Sequence, residues 1–329
     1  MTDSLALSDH CLQAAFRYLE KGQLSALQEV IRFCPEIIEM RDKGRGMIHA
    51  AAIAGRVDLL VALLDFGADL EMREGEWMDD EDCFQPGYLP LQHAARYSHL
   101  EAVSLLLVRG ANASSADYFC GTPLHAARNA EVAEALLNSG ADPNANCLVR
   151  HFDEALGWHF IGTPLHNAGN NAAMIQTLVN YGAKVDAVEP ATGRTPLHFA
   201  AALGLAEAAQ ALLSLGPNPN ARCEISEYAI HCTRSPLHYA AENGHEGVVE
   251  ILLQAGAKAN AIANYAQSGG FSYQLSPLHF ASREGHEGVV KLLLQAGTRP
   301  SLLGGMEKKT AAEMARAARH QIVASILGM

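Results

Sequence analysis

Fifteen histidines, seven cysteines and one dense run of acids are the residues of this 329-residue chain that could do chemistry. Cys223, His231 and Cys232 stand close together, and three such groups can hold zinc. Their spacing matches no closed zinc pattern and a fourth ligand is missing, so no metal is expected. Asp153 and Glu154 are adjacent acids, and neighbouring charges in a loop are ordinarily just solvated. No phosphate-binding glycine loop, nucleophile elbow, zinc-protease helix or dinucleotide fingerprint occurs. The expectation is no catalytic residue and no cofactor.

The acids point elsewhere. Glu71, Glu74, Glu76, Asp79, Asp80, Glu81 and Asp82 face a single Arg73, a net of −6 in a chain of net charge −12. Trp77, Phe84 and Tyr88 are interleaved with them. Three further stretches hold rings: Phe152, Trp158 and Phe160 beside His151 and His159; Tyr228 beside His231; and Tyr265, Phe271 and Tyr273. Exposed aromatics near charge are the usual composition of protein-binding hot spots.

The elements that must position these residues are set by the histidines. Thr122-Pro123-Leu124-His125, Thr163-Pro164-Leu165-His166 and Thr195-Pro196-Leu197-His198 are copies of one signal, and Ser235-Pro236-Leu237-His238 and Ser276-Pro277-Leu278-His279 vary only its first residue. Gly46-Met47-Ile48-His49 and Pro90-Leu91-Gln92-His93 are degenerate copies. Ser235 suits an N-cap, its hydroxyl able to accept an orphan backbone N–H, and Pro236 suits the first helical position. A short apolar helix follows up to Gly244, then a second with Val248, Val249, Ile251, Leu252 and Leu253, stopped by Gly256. The same stop recurs at Gly67, Gly110, Gly140, Gly182, Gly216 and Gly297. Such helix pairs have one apolar stripe and must stack on neighbours to be stable.

On these motifs the chain resembles the ankyrin-repeat family over nearly all its length. The resemblance implies an all-α repeat: a solenoid of stacked antiparallel helix pairs with projecting β-hairpin loops. It also implies a protein-binding role and a structural one for the signature histidines, which tie neighbouring turns together. The expected domain is a single array over 9–329. It has a capping repeat at 9–41, seven repeats over 46–304 and a closing cap at 309–329, after a short extension at 1–8.

The chain departs from the family period of about 33 residues. With His49, His93, His125, His166, His198, His238 and His279 as markers, the intervals are 44, 32, 41, 32, 40 and 41. The surplus falls in four long hairpins at about 71–89, 144–162, 220–234 and 260–275, and insertions of this kind map to one face. In the family the residue after the signature histidine faces the concave groove. Here those residues are Ala50, Ala94, Ala126, Asn167, Phe199, Tyr239 and Phe280. Two arrangements of the last three are open: a stripe of rings in the groove, or rings covered by the third and fourth hairpins.

Net charge argues against nucleic acid, and no run of about 20 apolar residues argues for a membrane span. No leader is visible and the cysteine count is odd, which suits reduced thiols and a cytoplasmic monomer; a bacterial effector acting in a host cytosol is the alternative location. The expected function is a scaffold, adaptor or inhibitor that binds another protein, one carrying a basic segment, through the groove and the hairpins. The predicted contact residues are Trp77, Asp79, Asp80, Glu81, Asp82, Phe84, Tyr88, Phe152, Trp158, Phe160, Phe199, Tyr228, Tyr239, Tyr265, Phe271, Tyr273 and Phe280. Two other readings compete: an aromatic cage for methylated lysine, which cation–π attraction would hold, and an enzyme whose site lies in the inserted loops.

Overall fold

Among the described residues, proline at the first helical position starts most of the signature helices, and a positive-φ glycine just past the end stops the longer helices that follow them. The computed structural model describes residues 2–75, 87–117, 121–147, 151–153, 157–159, 162–227, 230–267 and 272–328. It divides into two units, residues 1–160 and 161–329.

The first unit opens with α1 (Thr2–Glu20) and α2 (Leu24–Phe33), then a 3-10 turn at Pro35–Glu39. A short ladder of β1 (Arg41–Asp42) and β2 (Arg45–Gly46) leads into α3 (Met47–Ile53) and α4 (Val57–Asp65). Two further pairs follow, α5 (Pro90–Arg96) with α6 (Leu100–Val108) and α7 (Pro123–Ala126) with α8 (Ala130–Asn138). First helices pack on first helices and second on second, α3 on α5 on α7 and α4 on α6 on α8. Met47, Ile48, Leu59, Leu60, Leu63 and Leu106 are buried between them, each side chain contributing roughly 1.5–3 kcal/mol. The backbone hairpin of β3 (His151–Asp153) and β4 (Gly157–His159) ends the unit.

The second unit repeats the scheme. A 3-10 turn at Pro164–Asn167 precedes α9 (Ala172–Asn180), and α10 (Pro196–Leu203) precedes α11 (Ala206–Ser214). The hairpin of β5 (Cys223–Glu227) and β6 (Ile230–Arg234) feeds α12 (Pro236–Glu242) and α13 (Glu246–Gln254). That of β7 (Ala263–Gln267) and β8 (Ser272–Leu275) feeds α14 (Pro277–Glu284) and α15 (Glu287–Gln295). The closing pair is α16 (Ala311–Ala317) and α17 (Gln321–Leu327). Gly256 shows the stop: its φ is 86°, and the Ala257 N–H reaches back to the Leu252 carbonyl at 2.9 Å, the six-to-one bond of a Schellman ending.

The third and fourth hairpins are not separate fingers. β6 pairs with β7, so β5–β6–β7–β8 form one antiparallel four-stranded sheet. Strand alternation places Cys223, Cys232, Ala263, Tyr265 and Leu275 on its buried side, with Glu224, His231, Asn264 and Gln274 outward.

One register is corrected. The second copy of the signal is Leu89-Pro90-Leu91-Gln92, so Gln92, not His93, holds the signature place. Gln92 Oε1 accepts the Leu89 N–H at 2.8 Å and its Nε2 donates to the Gly121 carbonyl at 2.6 Å. These are the two bonds that the histidines make elsewhere. The true intervals there are 43 and 33 residues. His93, not Ala94, therefore stands in the groove-facing row.

Candidate interaction surface

The signature histidines are set from both sides. In His238, Nδ1 accepts the Ser235 N–H at 3.1 Å and Nε2 reaches the Ala261 carbonyl at 3.2 Å. His198 and His279 repeat this, with Nε2 on Arg234 and Leu302 carbonyls at 3.3 and 3.0 Å. Because Nδ1 takes an N–H and Nε2 meets a carbonyl, the ring is neutral with its proton on Nε2. The Thr and Ser hydroxyls bond the ring and not a helical N–H: Thr195 Oγ1 and Ser235 Oγ lie 2.9 and 2.8 Å from Nδ1. This corrects the expected capping bond at Ser235. At the start of α16 the hydroxyl does accept: Thr310 Oγ1 takes the Glu313 N–H at 3.3 Å, while Glu313 accepts the Thr310 N–H at 2.7 Å. Burial holds His198 near a pKa of about 4 and His238 near about 3, and lowers His279.

Four signature rings stand edge-on to the groove-row ring of the next repeat. The pairs are His49–His93, His166–Phe199, His198–Tyr239 and His238–Phe280, at centroid distances of 5.9, 5.2, 5.9 and 5.8 Å. Phe199, Tyr239 and Phe280 are buried, at 4%, 5% and 0% exposure. The expectation that they could form an open contact stripe is corrected: all three are buried, with arginines over Tyr239 and Phe280 and the sheet packed on Phe280. Arg194 lies over Tyr239 at 4.9 Å, Arg234 over Tyr239, Tyr265 and Phe280 at 5.3, 5.5 and 4.8 Å, and Arg283 over Phe280 at 5.3 Å. Arg234 donates Nε–H to Tyr265 Oη at 2.8 Å and pairs with Glu242, which also pairs with Arg283 at 3.0 Å. Burial opposes the Arg234 charge, but Tyr265 and Glu242 more than offset it and raise its pKa. Burial pushes the Tyr265 phenol up to about 12. The cations over these rings are thus the chain's own, and the methyl-lysine cage loses the faces it needs.

The remaining predicted contacts divide by place. Tyr265 is buried, and Tyr273 is half-buried and stacks on it at 4.7 Å. Tyr88 is half-buried, its ring 5.3 Å from His93 and its hydroxyl accepting from Arg96 at 2.9 Å. The backbones of Phe152 and Trp158 are cross-strand partners. Trp77, Asp79, Asp80, Glu81, Asp82, Phe84, Phe160, Tyr228 and Phe271 lie outside the described residues. Glu74, counted among the acids of the first long loop, is an internal residue at 7% exposure. Arg45 Nε bonds its Oε1 at 2.7 Å, and His93 Nε2 stands 3.1 Å from the same oxygen, off the line of a hydrogen bond. Burial alone would raise the carboxyl, but His93 and Arg45 hold it down at about 2.

His231 and Cys232 are consecutive on β6 and point to opposite faces, His231 outward and Cys232 inward, which keeps them from one metal. Among the described residues no three His, Cys, Asp or Glu side chains are grouped to hold one. No helix among them is long and apolar enough to cross a membrane.

Sequence reasoning missed the arginines. A signal existed: Arg194 and Arg234 each immediately precede the N-cap of a signature helix.

A family model of ankyrin repeats in three copies matches residues 12–117, 72–147, 152–223 and 221–303. The chain belongs to the ankyrin-repeat family. It is 29% identical over 180 residues to ankyrin repeat protein nuc-2 of Neurospora crassa, covering 54% of this chain and 15% of that protein. It is 31% identical over 185 residues to the probable E3 ubiquitin-protein ligase XBOS33 of Oryza sativa subsp. japonica, 45% of this chain and 34% of that protein. Against neurogenic locus notch homolog protein 1 of Mus musculus the identity is 37% over 138 residues, 40% of this chain and 5% of that protein. The chain therefore spans about a third or less of these relatives. The solved human ASB11 ankyrin repeat domain is similar in fold, with a TM-score of 0.56 at 24% identity, over 73% of this chain and 98% of that one.

Proposed function

We propose that this chain is a non-enzymatic protein-interaction module, an adaptor or inhibitor, that grips its partner with the long hairpins. The observation carrying this reading is the four-stranded sheet of β5–β8, which is braced from beneath by Arg234, Tyr265 and Phe280. A braced surface loses little conformational freedom on binding, which favours affinity. Its outer side is polar, with Glu224, His231, Asn264 and Gln274, and suits a hydrogen-bonding partner surface. The acidic run at residues 76–82 adds steering toward a basic segment of the partner, an effect that salt weakens.

Ankyrin repeats generally serve protein–protein interaction, and the rice relative's ligase name describes a protein of which this chain covers only 34%. The chain is proposed to act as a monomer without cofactor. Affinity capture followed by reconstitution with the purified partner tests the reading. Hydrogen exchange of the pair should protect amides in residues 223–234 and 263–275, and removal of residues 77–85 should slow association at low salt. Protection confined to the second helices of the repeats would refute it.

A further inference from the structure

We propose that Cys11 and Cys34 form a redox-active dithiol that a peroxide converts to a disulfide, clasping the N-terminal helix pair. Cys11 sits on α1, and Cys34 is the residue on which α2 ends. Their sulfurs are 2.7 Å apart, and both residues are buried. The backbone at Cys34 is fixed from both directions: its N–H bonds the Val30 carbonyl at 2.9 Å, and its carbonyl accepts the Ile37 N–H at 3.3 Å. The two thiols are therefore held together by the helix pair itself, twenty-three positions apart in sequence.

Access differs between them. A groove of about 280 Å³ between α1 and α2 is lined by Cys11 together with His10, Tyr18, Glu29 and Phe33, and Phe33 is 72% exposed. Cys34 does not line it. A small oxidant such as hydrogen peroxide thus meets Cys11 first. The Cys11 thiolate attacks a peroxide oxygen, the O–O bond breaks, and the sulfur becomes a sulfenic acid while the departing hydroxide takes up the proton Cys11 had released, giving the first water. Cys34 sulfur then attacks Cys11 sulfur, the S–OH bond breaks, and the expelled hydroxide leaves with the Cys34 proton as the second water. Two thiols give up two electrons and one peroxide takes them. The hydrogen bond to Cys11, and then burial, push the Cys34 thiol up to about 11. This keeps its proton on Cys34 until the second step and fits a resolving role.

The clasp acts on one helix pair, α1 packed on α2, and opening a single pair costs less than global unfolding. Closing the loop between α1 and α2 opposes that opening.

The test uses the full chain, reduced, desalted and treated with near-stoichiometric hydrogen peroxide. Peptide mapping by mass spectrometry should find the Cys11–Cys34 cross-link ahead of any other cysteine product, and dithiothreitol should reverse it. Amides of α1 should gain protection by roughly 30-fold or more on oxidation. In Cys34→Ser, dimedone should trap Cys11 as its sulfenic acid. The proposal fails if wild-type chain with native circular dichroism oxidises first at other cysteines. It fails equally if Cys11 passes to sulfinic acid without forming the cross-link.

Discussion

Acidification should weaken the second unit through His198 and His238, and the size of the effect can be worked from their surroundings. Each ring is buried and neutral, with Nδ1 on a backbone N–H and Nε2 on a carbonyl of the next repeat. Arg194 beside His198, and Arg234 and Arg222 beside His238, further disfavour a proton. An unfolded histidine titrates near 6.5, whereas folding holds these two at about 4 and about 3. The unfolded state therefore binds protons first. The stability contribution is complete above pH 6.5 and is lost as pH falls toward the folded values. Between about pH 7.5 and about pH 5 the linkage relation gives about 2 kcal/mol for each ring, or about 4 kcal/mol for both. Hydrogen exchange of the full chain, corrected for intrinsic rates, should show protection in α10 and α12 falling about a thousandfold over that interval. The chain supplies its own control, since Gln92 makes the same two bonds with a group that does not titrate. The His198→Gln, His238→Gln double variant should fold at neutral pH and lose most of this pH dependence. Flat wild-type protection, or an equally steep loss in the double variant, would show that these rings are not the titrating groups.

Three other outcomes follow from the same contacts. Arg234→Ala should cost about 2–4 kcal/mol in a denaturant melt, because it strips the guanidinium from three rings and leaves Glu242 without its inner partner; Arg234→Lys should recover little, lacking the planar fork. Gly204→Ala should cost at least ~1 kcal/mol in thermal unfolding, since φ there is 73° and a Cβ would stand 2.6 Å from His245 Nδ1. Glu74→Gln should lower the stability of the first unit at neutral pH by about 1–3 kcal/mol. It should also remove a contribution that is present above pH 4.5 and lost as the carboxyl is protonated toward about 2, as an acid titration followed by circular dichroism would show.

Much of the architecture was legible because its causes are local. The proline starts, glycine stops and helix-length apolar runs act over a few residues, and the positive φ at Gly67, Gly110, Gly140, Gly182, Gly216, Gly256 and Gly297 follows from them. The slip at His93 came from matching residue type instead of register. Counting from Pro90 puts Gln92 in the signature place, and the structure shows that an amide can do the imidazole's work there. The candidate surface was less legible. The rings at Phe199, Tyr239 and Phe280 are in the positions expected, but exposure depends on what covers them.

The sequence by itself determined the repeat frame, the length of each helix pair and the places where surplus chain leaves the array, since each rests on torsional preferences and spacing within a turn or two. Tertiary structure alone decided that two hairpins join into one sheet and that Phe199, Tyr239 and Phe280 are buried. Those outcomes depend on partners far apart in the chain, Arg234 with Tyr265 across 31 residues and Arg194 with Tyr239 across 45. A guanidinium choosing a ring over water is a matter of packing and desolvation at the finished site, and the place of Arg194 and Arg234 just before an N-cap does not by itself name the ring.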